Sequence, residues 1–410
     1  MAECQSKHDT ARPVSAFQGG RPGGGSWENK QICSKVYTRA HENSCIRSWG
    51  YSADNCVWRR DWYLDFAMTT PRRPATKAAA LVAADLVLPL AVPARLPLPA
   101  GVKPFRFNWP HILVISAYHA AALLAFMPGY FSWSGLVVAL LGTHLCGLFG
   151  INLCYHRLLT HRGLKCPKWL EHAMVIVAMS CLQETPARWV AVHRRHHQFA
   201  DEQPDPHSPL ANFFWAHMGW ILVNQPELAR LGIYQRYAKD ILRDRFYLAL
   251  ERNNWLAWIN LGQMPLFFGA GLAVAWLSGQ TPGAAAESGL SIMMFAVFVR
   301  TVLVWHITWA VNSVTHLWGY RNYETDEDSR NNFLVGFISN GEGWHNNHHA
   351  DPRSARHGHR RWEIDNTWLT IRFLAWLGLA TDVVAPNAHL AGRPPGSRLT
   401  TRGTTGVPAE

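Results

Sequence analysis

A chain of 410 residues with a formal net charge of +11, 20 Trp and 21 His is long enough for one membrane domain or two soluble ones, and its His and Trp content is unusual for either. The charge by itself admits nucleic acid, anionic lipid or an acidic protein as partner, but the excess Lys and Arg flank long uncharged apolar runs, which points to a bilayer and away from nucleic acid. The eight Cys (Cys4, Cys33, Cys45, Cys56, Cys146, Cys154, Cys166, Cys181) form no C-x-x-C pair, so reduced thiols are expected rather than a zinc ribbon or a disulfide framework.

Residues 1–100 are expected to be a disordered or extraneous extension. Up to about residue 75 they are polar, basic and Gly/Pro-punctuated, without the apolar core of a secretory signal, and they read either as disordered or as a start-site extension with Met68 as the natural beginning. Residues 79–100 are apolar but carry Asp85, Arg95, Pro89, Pro93, Pro97 and Pro99, which argues against a spanning helix. The domain proper is expected over 101–385, with a flexible tail at 386–410.

Four apolar runs follow, at about 111–127, 133–154, 255–278 and 290–311. Each is near the ~20 residues that cross a hydrocarbon core of about 30 Å. They predict an all-α integral membrane protein: four transmembrane helices in two hairpins, with a helical cap on the cytosolic side. The strand alternation of a barrel is absent. Residues 128–132 and 279–289 contain no Lys or Arg, whereas Lys103, Arg106, the 156–254 loop and Arg321, Arg330, Arg353 and Arg356 supply many. By the positive-inside rule both termini and the large loop face the cytosol.

Three histidine clusters then share one side: His156-Arg157-Leu158-Leu159-Thr160-His161, His193-Arg194-Arg195-His196-His197 and His345-Asn346-Asn347-His348-His349. In the last two, positions i, i+3 and i+4 fall within about 100° of arc on a helix. In the first, i and i+5 are splayed by roughly 140°, so its two rings are expected to serve different ions. Asn312 and His316 sit one turn apart where the fourth run ends. Nine imidazoles (His156, His161, His193, His196, His197, His316, His345, His348, His349) exceed what one ion takes and imply two.

Imidazole suits Fe, Cu, Ni and Zn alike, and a structural zinc needs only four ligands. The apolar setting favours redox chemistry, which zinc cannot provide, so iron with O₂ is expected. His111, His119, His144, His172, His217, His306, His357 and His359 lack box spacing and read as ordinary; His207, in Asp205-Pro206-His207, is a candidate for an outer position. Arg300, inside the fourth run, is a costly charge that either packs helices, snorkels or meets substrate.

The strings Tyr155–Arg162, Trp189–His197 with Asp205-Pro206-His207, Asn312–His316 and Gly341–His349 resemble the membrane fatty-acid desaturases, in particular the stearoyl-CoA desaturase-like Δ9 acyl desaturases. The resemblance covers roughly residues 105–385, and Ser354–Gly358 look more like bacterial members. It implies a cytosol-facing di-iron centre on the nine histidines, with Asn312 reaching one iron through a water, and a bent tunnel for the acyl chain. It also implies an enzyme of a bacterial inner membrane that uses O₂ to place a cis double bond, at Δ9, in a saturated C16–C18 acyl-CoA.

Animal members place Arg-Asp before the second box, contacting CoA, where this chain has Ala191-Val192. Acyl-lipid is therefore the alternative substrate. Arg188, Trp189, Arg194 and Arg195 around the second box, and Arg353 and Arg356 after the third, are candidates for holding a phosphate-bearing head group; equally, the arginines could face anionic lipid. No His-Pro-Gly-Gly heme signature occurs, so electrons are expected from a separate ferredoxin-, rubredoxin- or cytochrome b5-type donor with its reductase. A membrane di-iron hydroxylase or alkane monooxygenase is the runner-up within the enzymes. A metal transporter is the outside alternative, disfavoured because its ligands belong near the midplane.

Overall fold

The computed structural model describes residues 96–387 and the backbone of Ser397–Arg398. The expectations for the extension before residue 96, and for most of the tail after 387, lie outside the described residues. Twelve helices follow in chain order: α1 (Trp109–Leu124), α2 (Trp133–Thr160), α3 (Lys168–Met179), α4 (Pro186–Phe199), α5 (Trp215–Gly219 continued by Trp220–Leu222), α6 (Arg230–Tyr237), α7 (Arg245–Arg252), α8 (Trp255–Leu277), α9 (Pro282–Ser313), α10 (Phe333–Ile338), α11 (His345–Ala350) and α12 (Asn366–Trp376). The one extended pairing of named strands among the described residues is parallel, between Tyr323–Glu324 and Ser397–Arg398, a small departure from the all-α expectation.

Three helices, α2, α8 and α9, with 28, 23 and 32 residues, are long and apolar enough to cross a bilayer. The first expected span is a shorter helix. At 16 residues α1 is about 24 Å long, against a hydrocarbon core of about 30 Å. Outward-facing Leu113, Leu140, Leu141, Leu266, Val274 and Leu277 are exposed, the arrangement lipid requires and water would penalise.

Helix α9 begins at Pro282, ahead of the expected 290, because Thr281 accepts from the Ala284 N–H and the small residues after it continue the helix. Helices α8 and α9 pack backbone to backbone. A Cβ on Gly289 would lie 2.7 Å from the Phe268 carbonyl oxygen, and one on Gly271 would lie 2.8 Å from Ile292 Cβ. Small residues at such crossings are how helices associate in lipid.

Helix α2 changes its winding as it enters the cap: from Cys146 to Thr160 it is π-helical. Its buried face (Leu153, Tyr155, Leu158) packs with Ala187, Val190 and Ala191 of α4 in the core of the cap. Ala191 is wholly enclosed there, so a charged side chain at this position would be buried without a partner. Arg300 takes the helix-packing role of those considered. Its guanidinium is buried and donates to the Ser180 carbonyl at 2.8 Å and Gln263 Oε1 at 2.7 Å, tying α9 to α8 and to the end of α3.

Candidate active site

Nine histidines, from helices α2, α4 and α11 and the turns that follow α2 and α9, converge in the cap as two groups. His156, His161, His193, His197 and His348 form one, and His196, His316, His345 and His349 the other; within each, one nitrogen per ring lies within 4.8 Å of all the rest. Nε2 atoms face each other directly: His156 to His348 at 3.1 Å, His197 to His348 at 2.9 Å, His193 to His197 at 3.1 Å and His316 to His345 at 3.1 Å.

His156 and His161 belong to the same group, which corrects the expectation that they serve different ions. The cause is the π-winding of α2. The His161 N–H donates to the His156 carbonyl at 3.1 Å, an i→i+5 bond, and the wider turn brings the two rings edge to face with centroids 4.8 Å apart. An α-helix would have splayed them. In α4 and α11 ordinary helical winding suffices for the i, i+3, i+4 sets, which divide between the groups: His193 and His197 against His196, and His348 against His345 and His349.

Carboxylates behind the rings orient them. His156 Nδ1 lies 2.6 Å from Glu342, His316 Nδ1 is 2.7 Å from Asp201, and His196 Nδ1 is 3.0 Å from Asp205. His349 Nδ1 is 3.6 Å from Glu327. A ring whose Nδ1–H is given to a carboxylate must turn its Nε2 lone pair the other way, here toward the cluster. The Nε2 atoms of His161, His196 and His349 are buried without a hydrogen-bond partner. Burial first, and then the charge of neighbouring rings, holds His161, His193, His197, His345, His348 and His349 well below the usual histidine range, in the neutral form that ligates metals. Burial also opposes a charge on His316, but Asp201 outweighs it and lifts that ring to about 9. The same carboxylate makes His316 a stronger donor to a cation at Nε2. Converging ring nitrogens backed by carboxylates fit two metal ions.

Several of these supporting residues carried no signal in the sequence. Arg157, inside the first box, is fully buried. It donates to Glu342 at 2.9 and 3.1 Å and pairs with both oxygens of Asp365 at 3.0 Å. Glu342 also lies 3.1 Å from His357 Nδ1, which makes His357 part of the site and not an ordinary histidine. His207 stacks 4.5 Å from His196, and burial followed by the charge on His196 pushes it down to about 3. Gly341 is required where it stands: its φ is +113°, and a Cβ would strike the Asp365 carboxylate at 2.5 Å. The asparagines of the third box anchor α11. Asn346 accepts from the N–H groups of Asn322 and Tyr323, and Asn347 donates to the His357 carbonyl and Glu363, each at 2.8 Å.

A cavity of about 1320 Å³ runs beneath the groups. Its wall includes His156, His193, His345 and Asn312 at the cap, then Tyr118, Met264 and Trp305 at its apolar end. Lys103, Arg106, Arg188 and Arg230 also line it, with Asn108 and Pro226. Of the residues predicted to hold a head group, Arg188 and Trp189 line this cavity, and Trp189 also stacks on His193 at 4.9 Å. Arg194, Arg195, Arg353 and Arg356 are not part of the wall. Arg194 is held by Asp240 at 2.7 Å, Arg195 by Glu227, and Arg356 donates to the Gly358 carbonyl, while Arg353 is exposed. The sequence could not separate Arg188 from Arg194 and Arg195, because all three lie on one short helix.

The family model for fatty acid desaturases matches residues 131–372. The sn-1 stearoyl-lipid 9-desaturase of Synechocystis sp. is 41% identical over 290 residues, 70% of this chain and 84% of that protein. The sn-1 stearoyl-lipid 9-desaturase of Anabaena variabilis is also 41% identical, over 69% of this chain and 96% of its own. The acyl-CoA C20 Delta5-desaturase of Anemone leveillei is 38% identical, over 68% and 82% respectively. With the histidine groups, the cavity and the apolar helices, these matches establish that the chain belongs to the fatty acid desaturase family and is an oxidoreductase of fatty-acyl chains.

Proposed function

We propose that this enzyme inserts a cis double bond at Δ9 of a saturated C16–C18 acyl chain, at a non-heme di-iron centre held by the nine histidines. The convergence of those rings at the wall of a largely apolar cavity carries the reading. The reaction balances as CH₂–CH₂ plus O₂, two electrons and two protons giving CH=CH and two waters, with electrons from a separate ferredoxin-, rubredoxin- or cytochrome b5-type protein. Iron supplies the capacity to activate O₂ and remove unactivated hydrogens. The chain's own residues do the rest. Glu342, Asp201 and Asp205 orient the rings, and the apolar walls exclude water and hold one pair of methylenes under the cap. Asn312, which lines the same cavity as His345, would hold a water at the centre in this reading.

The head group is an acyl-lipid in this reading, with acyl-CoA second, a reversal of the sequence-based order. Phe105, Phe107 and Trp109 are exposed beside the cationic mouth, and aromatic side chains of that kind settle at the bilayer interface, where a resident lipid could enter. The buried Ala191 removes a charge that CoA would use, and two relatives are named as stearoyl-lipid enzymes. Lys103, Arg106, Arg188 and Arg230 would equally suit CoA phosphates, which keeps the second reading. Purified enzyme given labelled stearoyl-glycerolipid and stearoyl-CoA separately, with a competent reductant, is expected to desaturate the lipid faster. Turnover of the CoA ester alone would reverse the order again.

The cap faces the cytosol of a bacterial inner membrane in this reading, because Lys and Arg are absent from 128–132 and 279–289 and abundant around the cap. A reporter at Gly283 should then mark the side opposite to one at the C-terminus. Both on one side would overturn the orientation.

A further inference from the structure

Three histidines with no box spacing form a second polar array, outside the two metal groups and reaching from the cap into the apolar helices α1 and α9. His119 lies ten residues into α1 and His306 seven residues before the end of α9, about 15 and 10 Å from the cap ends of those helices. His119 Nε2 meets His306 Nε2 at 3.0 Å, and His306 Nδ1 meets His217 Nε2 of α5 at 3.0 Å. The ends are anchored as well: His217 Nδ1 to Ser313 Oγ at 3.0 Å, and His119 Nδ1 to the Ile115 carbonyl at 2.7 Å. Ser313 Oγ also lies 2.8 Å from the Trp309 carbonyl.

Hydrogen counting shows that the array is ordered as a unit. Five contacts share the three N–H groups of neutral rings and one hydroxyl. All three ring N–H groups are used if Ser313 donates to His217 and each ring donates onward to the Ile115 carbonyl. Only the Ser313 contact with Trp309, whose carbonyl already serves the helix, is then given up. Removing one ring leaves bare nitrogens in surroundings where nothing replaces the lost partner.

What the array touches gives it a use. His119 packs on Trp305 at 6.0 Å, and His306 and His217 pack edge-on to Trp309 at 5.1 and 5.7 Å. Trp305 and Trp309 stack on each other at 5.7 Å and, with Ile115 and Tyr118, line the acyl cavity. Trp309 precedes Asn312 by three residues, so this wall and the metal-facing end of the cavity share one helix face. The rings bridge α1, α5 and α9 behind the tryptophans.

We propose that His119, His217 and His306 are positioning residues that fix the double-bond position, by bracing the Trp305–Trp309 wall against the acyl chain. The proposal rests on the desaturase reading. Without the brace the wall can yield outward, and neighbouring methylenes come to rest under the cap. A displacement on the scale of one carbon is small in distance but large in its effect on which C–H bond is presented.

The test is to express wild type, His306→Leu and His217→Asn in a host with a reductase system. Iron is measured in each purified protein, and double-bond positions are mapped by mass spectrometry of derivatised products. Wild type should give one position. The variants should keep their iron, while isomers at adjacent positions rise at least ~10-fold relative to the main product. His217→Asn keeps a polar side chain at the Ser313 end of the array, and decides the matter if His306→Leu does not accumulate. Iron-loaded variants that make a single isomer, or that lose turnover without new isomers, would show a merely structural array and overturn the proposal. Absence of any unsaturated product from wild type would instead sink the desaturase reading itself.

Discussion

Replacing His348 with alanine is expected to abolish turnover and lower iron content, because this ring faces both His156 and His197 within one group. His196→Ala should do the same through the other group. The loss should exceed the ~10–100-fold typical of an outer partner of a metal ligand. Membrane insertion should persist in both, since it follows from hydropathy and not from the metal. Asn312→Leu makes the contrast: it should keep most of the iron and lose most of the activity, because Asn312 borders the cavity without belonging to either histidine group. Iron analysis and single-turnover assays on the three purified variants check this. Full activity in either alanine variant would remove the metal assignment.

Glu342→Ala should combine a stability loss with an iron loss. Arg157 and Glu342 are both buried, and Glu342 is also the partner of His156 and lies beside His357. Burial raises the cost of the Glu342 charge, but Arg157, His156 and His357 outweigh it and hold its carboxyl well below the usual range. Removing one partner of a buried pair leaves the other charge without its compensation, and costs about 3–5 kcal/mol. Arg157 would retain Asp365, which places the expected value at the lower end of that range. Iron affinity should fall by about 10–100-fold as His156 loses its orienting acceptor. Glu342→Gln, which keeps shape and one acceptor, should fall between. Thermal unfolding in detergent, with and without added iron, measures both effects; an alanine variant that melts like wild type would contradict the role given to Glu342.

The converging histidines were legible because helical spacing writes them into the sequence. His193, His196 and His197, and His345, His348 and His349, repeat at i, i+3 and i+4, and the helices they predict are present. His156 and His161 were legible as a pair but not in their grouping, since spacing assumes α-winding and the segment is π-helical. Asp201, Glu327 and Glu342 escaped because a single carboxylate has no periodicity, and its partner lies far away in the chain: Asp201 is 115 residues from His316 and Glu342 is 185 from Arg157. His119, His217 and His306 escaped for the same reason, each coming from a different helix. The short α1 shows the reverse limit. Hydropathy ran on to Met127, while the helix ends at Leu124 and the chain turns toward Gly129 at φ +91°.

The lipid profile of a host expressing the whole chain with a reductase system bears on the central claim more directly than any variant. The account predicts a new cis monounsaturated C16 or C18 chain with its double bond at Δ9, dependent on iron and O₂. A hydroxylated chain with no double bond, or a profile unchanged although the protein is present and loaded with iron, would contradict it.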